Sequence, residues 1–106
     1  MLPELGGHVL ELVDASRHGG VALAFSTDVF PHAWLRHVYG GWRGHHHLRL
    51  EPWTGHPMQL DAALAAGRAR VLPPGGSLEA DVAFVVYAGL DSVSAVEERA
   101  GGFAVR

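Results

Sequence analysis

The chain of 106 residues contains no cysteine and no lysine. The absence of cysteine excludes disulfides, zinc–thiolate sites and thiol catalysis. Eight arginines against eleven acidic residues give a formal net charge of −3, which argues against a nucleic-acid partner because nucleic-acid-binding domains are usually basic. No apolar run approaches the roughly 18–20 residues of a membrane-spanning helix. The first residues lack the basic region of a signal peptide, so we expect a cytoplasmic protein with no membrane partner.

Hydrophobic residues make up 48% of the chain, which is enough for a packed core and argues against intrinsic disorder. Glycine and proline pairs divide the chain into short segments with the length and composition of strands. Several strands with almost no helix predict an all-β fold in one domain. The predicted strands are His8–Asp14, Gly20–Ser26, His45–Glu51 and Ser77–Ala88.

Helical character is limited to one short segment. The alanine-rich residues Gln59–Ala66 end at Gly67, and glycine is a natural residue for closing a helix. For Phe30–Tyr39 the sequence leaves two alternatives open, a helical turn or an irregular aromatic loop.

Candidate chemistry concentrates in Trp42–Pro57, which holds a histidine triplet and two tryptophans. Side chains alternate along a strand, so a strand over His45–Glu51 places its odd-numbered residues on one face: two imidazoles, a guanidinium and a carboxylate. Pro52 cannot donate to a sheet, so we expect pairing to end there. Glu51 would then lie at the strand end, where a carboxylate can accept a proton or bind a hydroxyl.

Three interpretations of this polar row compete. Such a row is most often the solvated side of an antiparallel sheet. Two histidines at i and i+2, with Glu51 as a third ligand, could also face a metal ion. Histidine triplets without cysteine partners have little specificity, however, so we predict no metal. The third interpretation is a binding cleft, in which Trp53 stacks on a sugar ring while Trp34 packs in the core.

The residue order resembles the C-terminal part of the aldose 1-epimerase (galactose mutarotase)-like family over about residues 18–90. The resemblance is carried by Pro31–Leu35, Tyr39–Gly41, Leu50–Gly55, Val71–Gly75 and the strand that follows. Leu50–Gly55 (LEPWTG) is the most specific of these elements. The implied fold is part of a β-supersandwich that binds a monosaccharide and interconverts its α and β anomers, without a metal or organic cofactor.

In this family a glutamate takes the proton from the anomeric hydroxyl while a histidine protonates the ring oxygen. The glutamate that matches here is Glu51, whereas no histidine of the triplet His45–His47 matches the acid. From strand facing, and not from the family, we predict that Arg49, His47 and Trp53 contact the sugar.

Family members are much longer than this chain. We therefore expect residues 1–106 to form a single partial domain, a C-terminal fragment of the sandwich. The uncovered strand edges of such a fragment predict self-association or pairing with a complementary N-terminal fragment. Without the acid histidine we expect the isolated chain to be catalytically inactive, and a non-catalytic carbohydrate-binding or assembly module is the alternative.

Overall fold

A computed structural model describes residues 8–106, and these residues form antiparallel β-strands with one short helix. The predicted all-β class is confirmed, while the supersandwich architecture stays a prediction. Within the described range no helix has the length and apolarity to cross a membrane. In chain order the elements are β1 (His8–Asp14), β2 (Gly19–Phe25), β3 (His32–Tyr39), β4 (His46–Trp53), α1 (Leu60–Ala65), β5 (Val82–Ala88), β6 (Val96–Arg99) and β7 (Gly102–Val105).

The chain divides into two compact units. Unit 1 contains the residues up to Val29 together with Glu79–Arg106, and unit 2 is Phe30–Leu78. Strands β1, β2, β5, β6 and β7 therefore belong to unit 1, whereas β3, β4 and α1 belong to unit 2. The sequence did not indicate this division, and the expectation of a single partial domain stays a prediction.

Unit 1 is built on a three-stranded sheet in the order β1-β2-β5, accompanied by the β6–β7 hairpin. The short side chains of Ala22 and Ala24 on β2 are fully buried, and the paired strands contribute Val9 and Ala83 beside them. Small residues on the middle strand leave room for larger neighbours, so this face packs densely. The buried core cluster of unit 1 consists of Ala22, Ala24, Ala83, Tyr87, Val93 and Val96.

A half-buried carboxylate, that of Glu11, forms hydrogen bonds with two residues of this core. The Tyr87 hydroxyl donates to Glu11 Oε2 at 2.9 Å, and the Val93 backbone N–H donates to the same oxygen at 2.8 Å. Burial raises the pKa of Tyr87 above 10.0, and the hydrogen bond and negative charge of Glu11 raise it further. One carboxylate therefore joins β1, β5 and the segment before β6.

Glycine is required at Gly20 because of this close packing. A Cβ atom there would collide with the Leu12 carbonyl oxygen and lie 2.9 Å from the Tyr87 hydroxyl oxygen. Backbone oxygen cannot move aside without disturbing the β1–β2 pairing, in which Gly20 lies opposite Val13. The position therefore excludes any side chain.

Two of the sequence predictions need correction. For Phe30–Tyr39 both alternatives, a helical turn and an irregular loop, are wrong, because His32–Tyr39 is a strand that pairs along its whole length with β4. The predicted strand Ser77–Ala88 begins only at Val82, because β2 ends at its partner Phe25 and no partner strand remains for the preceding residues.

The end of β4 also differs from the expectation. Pairing continues through Pro52, which lies opposite Ala33, to Trp53, which lies opposite His32. Proline is tolerated there because β4 pairs only with β3 among the described strands, so its outer side needs no donor.

The single helix is the one that the sequence predicted, shortened by one residue at each end to Leu60–Ala65. Gly67 has φ +68°, and its N–H donates to the Leu64 carbonyl oxygen at 3.0 Å. The Arg68 N–H donates to the Ala63 carbonyl oxygen at 2.8 Å. These two bonds form a Schellman motif, which satisfies the last carbonyl groups of a short helix.

Candidate functional site

The β3–β4 hairpin of unit 2 carries the candidate site. A tight turn joins its strands, with the Gly40 N–H donating to the His45 carbonyl oxygen at 2.9 Å, and with Gly40, Arg43 and Gly44 at positive φ. The register is regular, so alternate residues of each strand share a face. We call one side the hairpin face, and it consists of His32, Trp34, Arg36, Val38, His47, Arg49, Glu51 and Trp53.

Glu51 lies at the centre of the contacts on the hairpin face. Its Oε2 atom accepts a hydrogen bond from Trp53 Nε1 at 3.0 Å and lies 3.5 Å from Arg36 Nε. The Glu51 side chain is 20% exposed, whereas the Arg36 side chain is 41% exposed. The carboxylate is therefore held in place by two donors but is still reached by solvent, which a group that meets a ligand requires.

Aromatic rings flank this carboxylate. Trp34 and Trp53 stack with their ring centroids 4.8 Å apart and an interplanar angle of 11°. The His56 ring meets Trp34 edge-on at 6.0 Å and lies 5.5 Å from the His32 ring. Both tryptophans are half-buried, so the predicted core position of Trp34 is replaced by a place in a partly open aromatic cluster.

Arg36 is held by three groups on the hairpin face and beside it. Besides the Glu51 contact, its guanidinium carbon lies 5.8 Å from the Trp34 ring centroid, and Nη2 lies 3.2 Å from Met58 Sδ. A guanidinium over an aromatic face is an attractive arrangement. These contacts orient one positive charge next to the carboxylate.

A shallow groove of about 540 Å³ opens along the same hairpin. This volume falls within the range of about 300–1,000 Å³ that small-molecule sites occupy. Arg49 is exposed, while His47 is half-buried and its Nδ1 atom is buried without a hydrogen-bond partner in the described structure. The groove is lined by Leu35, Arg36, His37, Val38, Trp42, His47 and Arg49.

A smaller cavity of about 170 Å³ is lined in part by Trp53. The rest of its lining comes from the loop before α1, from the helix and from the segment after it. Trp53 does not line the larger groove. The residues that line the smaller cavity are Trp53, Thr54, Gly55, Pro57, Met58, Leu60, Ala63, Ala69 and Arg70.

The four site residues that the sequence predicted all lie on one face of β4. Glu51 and Trp53 are hydrogen-bonded to each other, whereas Arg49 and His47 continue the same face of β4 and line the groove. His45 lies before the strand and stacks on Trp42 at 5.2 Å, so it leaves the predicted row. The sequence correctly placed His47, Arg49 and Glu51 on one strand face. Trp53 lies on the same face because β4 continues past Glu51 to Trp53.

Arg36 and the site role of Trp34 were missed. Both lie on β3, which the sequence did not identify as a strand. In the structure every second residue of His32–Tyr39 is half-buried and the others are exposed. The sequence gives no matching signal, because polar and apolar residues occur on both faces of the strand.

Within residues 8–106 no three histidine or acidic side chains come close enough together to hold a metal ion. Comparisons with protein-family models, with curated proteins and with solved structures found no match. Any function proposed for the site therefore rests on the residues of the site itself.

Proposed function

We propose that the hairpin face of unit 2 binds a monosaccharide, as part of an aldose 1-epimerase-like protein. The observation that supports this most is the Glu51 carboxylate, which lies beside the stacked Trp34 and Trp53 rings and within reach of Arg36. Aromatic rings cover the apolar side of a sugar ring, while a carboxylate and a guanidinium bond its hydroxyl groups. These two kinds of contact occur together on the hairpin face.

In the proposed reaction Glu51 acts as the general base. The carboxylate takes the proton from the anomeric hydroxyl, and a separate acid protonates the ring oxygen, so that the ring opens, rotates about its first carbon–carbon bond and closes with the opposite configuration. A positioned base of this kind contributes typically about 10²–10⁴-fold to a rate. Arg49, His47 and Trp53 would contact the sugar, and no cofactor is required.

The acid is expected to come from outside this chain. The family resemblance transfers no acid role to any histidine here, so the proposal is that a complementary N-terminal part supplies it. Exposed apolar side chains support the need for a partner surface, among them Phe84 and Val86 on β5, which are 65% and 74% exposed. Exposed apolar surface of this kind is typical of interaction sites. A cytoplasmic location remains part of the same proposal.

A second candidate is a non-catalytic carbohydrate-binding or assembly module. One specific observation favours it: both contacts made by the Glu51 carboxylate fall on Oε2, which ties the group to Trp53 and Arg36. A carboxylate fixed in this way can position a hydroxyl group without accepting its proton. The two candidates share the ligand and differ only in turnover.

Calorimetric titration with glucose tests the binding that both candidates share, and polarimetry of glucose mutarotation tests whether the isolated chain carries its own acid. We expect the isolated chain to bind glucose without accelerating mutarotation, and we expect the Glu51→Gln and Trp53→Ala variants each to bind at least about tenfold more weakly, a change of 1.4 kcal/mol. The Leu72→Ala variant serves as a control, since Leu72 is 59% exposed in unit 2 and lines neither cavity.

Turnover by the wild-type chain that Glu51→Gln abolishes would show that the chain carries its own acid, and would reject the non-catalytic module. Absence of binding to any aldose would reject both candidates.

A further inference from the structure

The groove on the hairpin face has an unbalanced positive charge. Arg36 and Arg49 lie directly opposite each other in the β3–β4 register, an arrangement that is unfavourable for like charges. Glu51 pairs with Arg36. Among the described residues no carboxylate forms an ion pair with Arg49, which is exposed along the groove.

A third guanidinium lies beside the groove, because Arg43 is 5.2 Å from the ring centroid of Trp42, which lines the groove. None of the residues that line the groove is a carboxylate. The groove thus offers guanidinium groups without a negative side chain in its own lining.

We infer that this groove binds the oxyanion of a charged aldose, a phosphate ester or a carboxylate, through Arg49 and Arg36. Guanidinium groups bind such oxyanions with paired, charge-assisted hydrogen bonds. The aldose part of this inference rests on the proposed function, whereas the anion part rests on the groove alone.

The spacing along β4 agrees with a single ligand that reaches both groups. Glu51 and Arg49 are two residues apart on one strand face, so their Cα atoms are separated by about 6.5 Å. One sugar ring can span that distance. A ligand with its anomeric end at Glu51 would therefore direct a charged substituent towards Arg49 and the open groove.

The test is a calorimetric comparison of glucose, glucose 6-phosphate, glucuronate and inorganic phosphate at low salt. We expect the two charged sugars to bind about tenfold more tightly than glucose, and the advantage to shrink as salt is added, because the contacts are partly exposed. A preference for glucose 6-phosphate over glucuronate would identify the phosphate ester as the source of the oxyanion, and the reverse would identify the carboxylate.

Arg49→Gln should remove the advantage of the charged sugars, so that glucose, glucose 6-phosphate and glucuronate bind this variant with affinities within about twofold of one another. Arg49→Lys keeps the charge but loses the paired geometry, so it should retain only part of the advantage. Arg68→Gln is the matched control, because Arg68 is an exposed arginine of unit 2 that does not line the groove. Arg49 is itself exposed, so these variants should keep the fold, which circular dichroism checks.

Equal affinities for glucose and both charged sugars would overturn the inference and leave the proposed function standing. Binding of inorganic phosphate that Arg49→Gln abolishes, without binding of glucose, would support the anion groove and overturn the proposed function. A charge advantage that survives in Arg49→Gln would overturn the assignment of the groove.

Discussion

The two units of this chain each place a half-buried glutamate in different surroundings. In unit 1 Glu11 accepts two hydrogen bonds from the core residues Tyr87 and Val93 and joins three segments. In unit 2 a glutamate, Glu51, also has two donors, but it lies on a partly open face among tryptophans and arginines. The comparison indicates that unit 1 supplies stability, whereas unit 2 holds the face for which ligand binding is proposed.

Burial follows the same division. The core cluster of Ala22, Ala24, Ala83, Tyr87, Val93 and Val96 belongs entirely to unit 1. Within the described part of unit 2, Ala63 on α1 is the one apolar side chain that is buried. Since stability derives mainly from apolar burial, substitutions in unit 1 should affect folding more than equivalent substitutions in unit 2.

The largest expected contrast comes from two glycines. Gly20→Ala in unit 1 should destabilise the protein by about 3 kcal/mol or more, because the new Cβ meets the Leu12 carbonyl oxygen and the Tyr87 hydroxyl oxygen. Gly41→Ala in unit 2 should change stability by less than about 0.5 kcal/mol, because nothing lies within 4 Å of the new Cβ. Denaturant unfolding measures both, and equal effects would refute the packing argument.

The two glutamates give a smaller contrast. Glu11→Gln should cost about 1–2 kcal/mol, because the charged acceptor of two hydrogen bonds from the buried residues Tyr87 and Val93 is lost. Glu51→Gln should cost less than about 1 kcal/mol, since ion pairs open to solvent contribute little. Thermal unfolding of both variants checks the order. A larger loss for Glu51→Gln would mean that unit 2 carries the stability.

The smallest effect concerns the pH dependence of unit 1. The pKa of Tyr87 is raised, so the stability that its neutral form provides is present below pH 10.0 and is lost as pH rises through the raised value. In a Tyr39→Phe background only one tyrosine remains, and its phenolate absorbance should titrate above pH 10.0. Adding Glu11→Gln should lower this midpoint, because the neighbouring negative charge is gone. An unchanged midpoint would show that Glu11 does not act on Tyr87.

The sequence predicted those elements whose pattern is local. The helix ended where Gly67 closes it, since a glycine at positive φ completes the last turn. His8–Asp14 was predicted with the bounds that the structure has, because a mainly apolar run of strand length lies there between glycine pairs. Glu51, Arg49 and His47 could be grouped because strand alternation is a property of adjacent residues.

What the sequence did not predict depends on pairing between distant segments. Val82 begins β5 only because Phe25 ends β2, and the extended run before it looks equally strand-like in sequence. Arg36 joined the site through its position across from β4, which no local pattern reveals. The division into two units likewise depends on the pairing of β2 with β5, whose partners are about sixty residues apart in the chain, and pairing at that range is not encoded in any one segment.

The most direct test of the account is a nitrogen–proton correlation NMR spectrum, recorded during titration with glucose. This spectrum detects the backbone amides and the tryptophan indole N–H groups. We predict that the Trp53 indole N–H signal and the amides of β3 and β4 shift together and saturate, while the amides of β2 and β5 in unit 1 stay in place. The indole proton is the sharpest reporter, because it donates directly to Glu51. Saturable shifts in β2 and β5 with none on the hairpin would contradict the account.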